Sequence, residues 1–143
     1  MDQTDRRLVE LLVADGRRSV NDLAEELHVS RATAYQRLSR LRESGVIRGF
    51  TAVVDHRALG LAISALVLIR VEQHAWPQLE GKLLALPGAE WLAAAAGEFD
   101  FALLVRVRDV DTLRDVVLKG IQSLAAVRSS ETVLLLEDRR AGA

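Results

Sequence analysis

The chain contains no cysteine. That excludes disulfides, thiolate nucleophiles, iron–sulfur clusters and cysteine-bound zinc together. Histidine is scarce as well. His28, His56 and His74 are widely spaced, with no carboxylate–histidine pattern around them, which argues against a metal centre. No metal or organic cofactor is therefore expected. Proline occurs only at positions 77 and 87, and there is no long hydrophobic run. The longest, residues 61–69, is broken by Ser64. It reaches about half of the ~20 residues that a membrane-spanning helix requires. The opening residues, Met1-Asp2-Gln3-Thr4-Asp5, lack the basic start and apolar centre of a secretory signal. These absences predict a soluble cytoplasmic protein without a membrane partner, and they weaken most enzyme chemistries.

The composition that remains is globular. The 143 residues are 50% hydrophobic and 27% charged, enough for one ordinary domain or two small ones. The net charge of −1 speaks against a nucleic-acid binder, but its distribution does not. Residues 1–50 hold nine arginines against eight acids, and the stretch 31–42 carries Arg31, Arg37, Arg40 and Arg42 with no acid at all. Because salt screens charges over ~8–10 Å, this local excess matters more than the total.

The first 50 residues follow a helical period. A helix is predicted over 3–14, with Asp2 as cap, a stripe of Leu8, Val9, Leu11 and Leu12, and Gly16 as stop. A second is predicted over 20–27, capped by Ser19 with Asp22 three residues on. After the short break His28-Val29, Ser30 caps a third helix over 31–44, whose apolar stripe is Ala34, Leu38 and Leu41. Two short amphipathic helices joined by a tight turn make a helix-turn-helix, although three such helices alone could be an ordinary bundle with a solvated face. The third helix tips the balance: Arg31, Thr33, Gln36, Arg37 and Arg40 fall on its outward positions, with the chemistry of phosphate and base-edge contacts. Residues 46–54 read as a strand serving as hinge or wing, and 55–60 as a turn.

From residue 61 the pattern is strand 61–72, helix 77–86, strands 89–96 and 99–108, helix 110–124 and strand 127–137. The order βαββαβ is that of the ferredoxin-like split unit. The fold class expected is thus α+β: a winged-helix-like DNA-binding domain at 1–48, a linker at 49–60 and a ferredoxin-like domain at 61–143. The strands are apolar on both faces, as in Leu66-Val67-Leu68-Ile69 and Leu103-Leu104-Val105. One face needs a cover the chain does not supply, which predicts a homodimer through this domain.

Taken together these residues resemble the Lrp/AsnC, or feast/famine, transcription regulators of bacteria and archaea. The resemblance rests on Asp2-x-x-Asp5 and Asp15-Gly16-Arg17, on Val29-Ser30-x-x-Thr33-Ala34-Tyr35-x-Arg37-Leu38, on Gly97-Glu98-Phe99-Asp100, and on Val127-x-x-Ser130-x-Thr132. It covers nearly the whole chain. It implies a regulator that binds double-stranded DNA, dimerises through its sensing domain, assembles further toward an octamer, and responds to an amino acid or related metabolite. Carried over by position, DNA contacts fall on Ser30, Arg31, Thr33, Tyr35, Gln36, Arg37 and Arg40. Effector contacts fall on Ala96, Gly97, Glu98, Phe99, Asp100, Ser130 and Thr132. The chain departs from the family pattern at Ala96, where a hydroxyl residue is common, and at Ser130, where threonine is. That departure leaves open a more apolar ligand, or none. Tyr35 is equally compatible with helix packing. Two alternatives stand beside the regulator: a siroheme or haem-precursor decarboxylase of AsnC-like architecture, and a dimerisation module that no longer binds DNA.

Overall fold

The computed structural model describes residues 1–139, except for the Gln73 side chain. Residues 140–143 of the expected sensing domain lie outside the described residues. The fold is α+β, and the chain forms two compact units, one comprising Met1–Val53 and the other beginning at Val54.

The first unit is helical. Helix α1 spans Gln3–Ala14, α2 Val20–Glu26 and α3 Arg31–Glu43. Each begins on the residue expected to cap it, because an aspartate or serine side chain there accepts an otherwise unpaired amide of the first turn. Asp2 accepts from the Asp5 amide, Ser19 from Asp22, and Ser30 from Thr33. Leu8, Leu11, Leu12, Leu23 and Leu41 form the core, with Val9, Leu27, Leu38 and Ile47 around it. The α2–α3 turn passes through His28, whose φ of 54° lies in the left-handed region.

The strand expected at 46–54 is not formed. Ile47 donates its amide to the Leu41 carbonyl at 2.9 Å and packs on the helical core. Residues 48–54 pair with no strand among the described residues, and β-propensity without a neighbouring strand does not make a strand.

The second unit is a four-stranded antiparallel sheet of order β2-β3-β1-β4. Its strands are β1 Ile63–Val71, β2 Ala89–Ala94, β3 Phe101–Val107 and β4 Val127–Leu135. Helix α4, Trp76–Leu84, has proline in its first turn, as the fixed φ of proline allows. Helix α5, Val110–Asp115, is shorter than expected and continues as a wider π-type turn over Val116–Ile121. There Gly120 lies so close to Leu86 that an added Cβ would meet the leucine at 2.7 Å.

Alternation along β1 and β3 sends Ala65, Val67, Ile69 and Val71 with Phe101, Leu103, Val105 and Val107 into one core with Leu79, Leu83, Leu113, Val116 and Ile121. The intervening residues form the opposite face. Register aligns Leu66 with Leu104 and Val133, and Leu104 with Trp91. Val133 is 38% and Trp91 41% exposed, so this face carries large apolar side chains that nothing among the described residues covers. At its end lies Arg106, only 4% exposed, held by Glu90, by Asp138 at 2.7 Å and by Ser64 at 2.7 Å.

Candidate nucleic-acid interface and effector cleft

Helix α3 begins where Ser30 Oγ accepts the Thr33 amide at 3.1 Å and meets Thr33 Oγ1 at 2.8 Å. Ser30 and Thr33 thus spend their hydroxyls partly on each other. Arg31, Gln36 and Arg40 are exposed, and so is Tyr35 at 61%. Tyr35 is therefore not a helix-packing aromatic. Ala34 and Leu41 are the residues this helix buries.

Arg37 departs from the expectation. Rather than facing outward, its guanidinium turns back to α1, and its side chain is 23% exposed. Its Nη1 donates to Asp2 Oδ2 at 2.7 Å and to Asp5 Oδ1 at 2.8 Å. Arg40 Nη2 reaches both oxygens of Asp5, at 3.0 and 2.9 Å, while its side chain stays 62% exposed. Asp5 is 1% exposed. Its carboxylate also accepts the Asp2 amide at 3.0 Å, completing the capping box. Burial pushes the Asp5 pKa up, but the Asp2 amide, the Arg37 hydrogen bond and the charges of Arg40 and Arg37 outweigh it and hold the group at about 2, against 3.8 ordinarily. The same contacts raise Arg37 above the ordinary arginine value, through hydrogen bonds first to Asp2 and then to Asp5. The sequence carried a signal for this cluster. An N-cap acid and a second acid three residues on, at the start of α1, match two arginines three apart on α3, the spacing that puts each pair on one side of its helix.

The second site lies in the sheet unit. The segment after β2 makes a loop that returns as β3. The Ala95 amide donates to the Asp100 carbonyl at 2.8 Å, and the Asp100 amide to the Ile69 carbonyl at 2.9 Å. The Asp100 carboxylate accepts the Val71 amide at 2.8 Å, where β1 changes register against β4. Gly97 has φ 139°, backbone that a side chain disfavours. Arg70 closes over the loop, donating to the Glu98 carbonyl at 3.0 Å, approaching its carboxylate at 3.7 Å and lying 6.0 Å from the Phe99 ring centre.

These elements line an open cleft of about 560 Å³ formed by Arg70, Val71, Glu72, His74, Gly97, Glu98, Asp100 and Arg128. That volume suits a small metabolite. Of the expected effector residues, Gly97, Glu98 and Asp100 line it; Ala96, Phe99, Ser130 and Thr132 do not. Ser130 accepts from Gln122 at 3.2 Å, and Thr132 sits opposite Val67, so both belong to the helix-covered side. Arg70, Glu72, His74 and Arg128 went unforeseen, because they gather from a strand end, the following turn and the start of β4. Charged side chains dominate the lining, which is the reverse of the apolar ligand that Ala96 left open. No His/Cys/Asp/Glu group among the described residues could hold a metal, and no helix among them is long and apolar enough to cross a membrane.

A helix-turn-helix whose third helix is rich in arginine and free of acid over residues 31–42, followed by a sheet unit holding a charged cleft, defines the class: a DNA-binding regulator with a small-molecule site. Comparison with known proteins narrows it. Residues 1–42 match the AsnC-type helix-turn-helix domain, and residues 64–141 the Lrp/AsnC ligand binding domain. The chain is 30% identical over 137 residues to the HTH-type transcriptional regulator FL11 of Pyrococcus furiosus, covering 96% of this chain and 90% of that one. It is 31% identical over 146 residues to the regulator AldR of Mycobacterium tuberculosis, covering 100% and 82%. A crystal structure of the mycobacterial AldR superposes with a TM-score of 0.86 at 29% identity, over 100% of this chain and 99% of that one. The chain belongs to the Lrp/AsnC family of transcriptional regulators. It is a regulator and not an enzyme, which sets the decarboxylase alternative aside.

Proposed function

We propose that residues 1–48 read double-stranded DNA, that 49–60 act as a hinge, and that 61–143 dimerise and sense a small effector. In this reading α3 enters the major groove. Ser30, Arg31, Thr33, Tyr35, Gln36 and Arg40 face the duplex, and Arg37 braces the helix instead of touching DNA. The observation that carries the reading is the exposed face of α3, where Arg31, Tyr35, Gln36 and Arg40 are open to solvent and the helix carries no acid of its own before Glu43 in its last turn. Phosphate contacts favour such a face, and base edges need its mixture of donors.

The uncovered sheet face supports a homodimer: Leu66, Leu68, Val133 and Trp91 would meet their copies, and further assembly would place several readers on one DNA. The cleft suits an amino acid or a related zwitterion. Gly97 and the arginines can approach its carboxylate, and Glu72 or Glu98 its ammonium, so that each buried charge is paired. Such a protein would work in the cytoplasm, beside the nucleoid.

The test is direct. Duplexes enriched from a random-sequence pool should bind, with log affinity falling linearly against log salt at about −0.9 per phosphate neutralised. A panel of amino acids should contain members that raise the melting temperature in proportion to log concentration. A protein that binds no duplex at low salt refutes the DNA reading.

A further inference from the structure

We infer that Asp5 is a positioning residue for DNA recognition. Its buried carboxylate fixes the roll of α3 through Arg37 and aims Arg40 at the phosphate backbone. The inference rests on the DNA reading above and assigns the role to a residue on a different helix from the one that meets the duplex.

The argument begins with what α3 lacks. It buries Ala34 and Leu41, with Leu38 half-buried, so its apolar seam is narrow. Contacts of this kind are non-directional and leave rotation about the helix axis weakly specified. Charge-assisted hydrogen bonds are directional. Here three of them run from Arg37 and Arg40 to one carboxylate that is itself fixed by the Asp2 amide at 3.0 Å. A fourth joins Arg37 to Asp2 at 2.7 Å. The first turn of α1 is thereby bolted to the middle of α3.

The two arginines divide the work. Arg37 is 23% exposed and commits Nη1 to both acids. Arg40 commits only Nη2, and its side chain is 62% exposed. Its remaining N–H directions are presented to solvent with the guanidinium plane already set. A roll of ~20° about α3 would carry a side-chain tip, ~5–6 Å from the axis, by about 2 Å. Non-specific attraction tolerates that displacement; base-edge hydrogen bonds do not.

A charge argument makes the test decisive. Asp5 is negative, so removing its charge leaves general attraction to DNA equal or stronger. If Asp5 positions α3, specific binding nevertheless weakens. The experiment compares full-length wild type, Asp5→Asn, Arg37→Met and Arg40→Met. Each is titrated across a salt series with a duplex enriched by the wild type and an unrelated duplex of equal length. The expected result for Asp5→Asn is a tenfold or greater fall in the specific-to-non-specific affinity ratio, with the non-specific affinity no weaker. Arg37→Met should show the same fall and keep the wild-type salt slope, whereas Arg40→Met should lose about 0.9 from the slope. Asp5→Asn combined with Arg37→Met should cost little more than either alone, since both break one cluster. Helix content at the assay temperature identifies an unfolded variant; if Asp5→Asn unfolds, Arg37→Met decides. A preserved ratio in Asp5→Asn, or a slope reduced by about 0.9 in Arg37→Met, overturns the positioning role. Wild-type protein without salt-dependent DNA binding overturns the underlying reading instead.

Discussion

The Asp5 cluster also makes the helical unit acid-sensitive, and the size of the effect follows from the structure. Asp5 is held at about 2 in the folded chain and takes its ordinary 3.8 when unfolded. Its folded pKa is depressed, so its contribution is present above pH ~4 and is lost as pH falls through about 2. The full shift corresponds to ~2.4 kcal/mol. Asp2 and Arg40 at the rim are more than half exposed, so solvent screens the cluster and about 1–2 kcal/mol is the better expectation. Asp5→Asn keeps the shape and removes the charge. Hydrogen exchange of peptides covering α1 and α3, followed along a urea series, isolates this unit from the sheet. At pH 6 the variant should be less stable by about 1–2 kcal/mol. At pH 2.5 the charge-dependent part of that gap should shrink to about a third, because wild-type Asp5 is then itself partly protonated. An equal gap at both pH values would show that Asn disturbs packing rather than charge, and would refute the reasoning.

Further outcomes are expected elsewhere. His28 takes φ 54° in the α2–α3 turn, a region that strains a β-carbon, so His28→Gly should raise the unfolding free energy of the helical unit by about 0.5–1 kcal/mol. A decrease would mean that the histidine side chain holds the turn. Leu66→Glu places a charge on the uncovered sheet face. Sedimentation should show the proposed dimer weakened by ~100-fold or more, and an unchanged dimer would locate the interface elsewhere. Gly97→Ala forces a side chain onto φ 139° at the cleft, and should lower the melting temperature and abolish ligand-induced stabilisation. Retained stabilisation by the same ligand would remove this loop from the effector site.

Elements with strong local signals were legible. Asp2, Ser19 and Ser30 each cap the helix expected of them, since an N-cap bond spans only three residues. The short, continuous apolar runs around Leu66 and Leu104 pointed to strands with two apolar faces. The features that were not legible depend on distant partners. The run 46–54 has the composition of a strand and forms none, because strand formation is decided by a neighbour. The helix expected at 110–124 widens after Asp115, near a contact with Leu86 that no local pattern encodes. The sequence pattern points Arg37 outward because helical geometry gives an arginine's Cβ direction but not where its long side chain ends. A partner 32 residues away decided that. The cleft shows the same limit. Gly97, Glu98 and Asp100 lie within four residues of one another and were found; Arg70, His74 and Arg128 arrive from three separate places.

The inward turn of Arg37 changes what a single copy can do on DNA. With Arg37 engaged by Asp2 and Asp5, Arg31 and Arg40 are the two cations among the contacts proposed above. At about −0.9 per phosphate, two contacts give a salt slope near −1.8 for one reader, far short of the 6–10 contacts that make binding strongly salt-dependent. The overall charge of −1 adds no long-range attraction. On the proposed reading, useful affinity would come from several readers held together, where the second binds at the effective concentration set by the first. Duplexes with one, two and four spaced half-sites should therefore give slopes near about −1.8, −3.6 and −7, with affinity rising at each step. A slope that stays the same across the series would mean that one copy supplies all the contacts, and that assembly serves some purpose other than DNA binding.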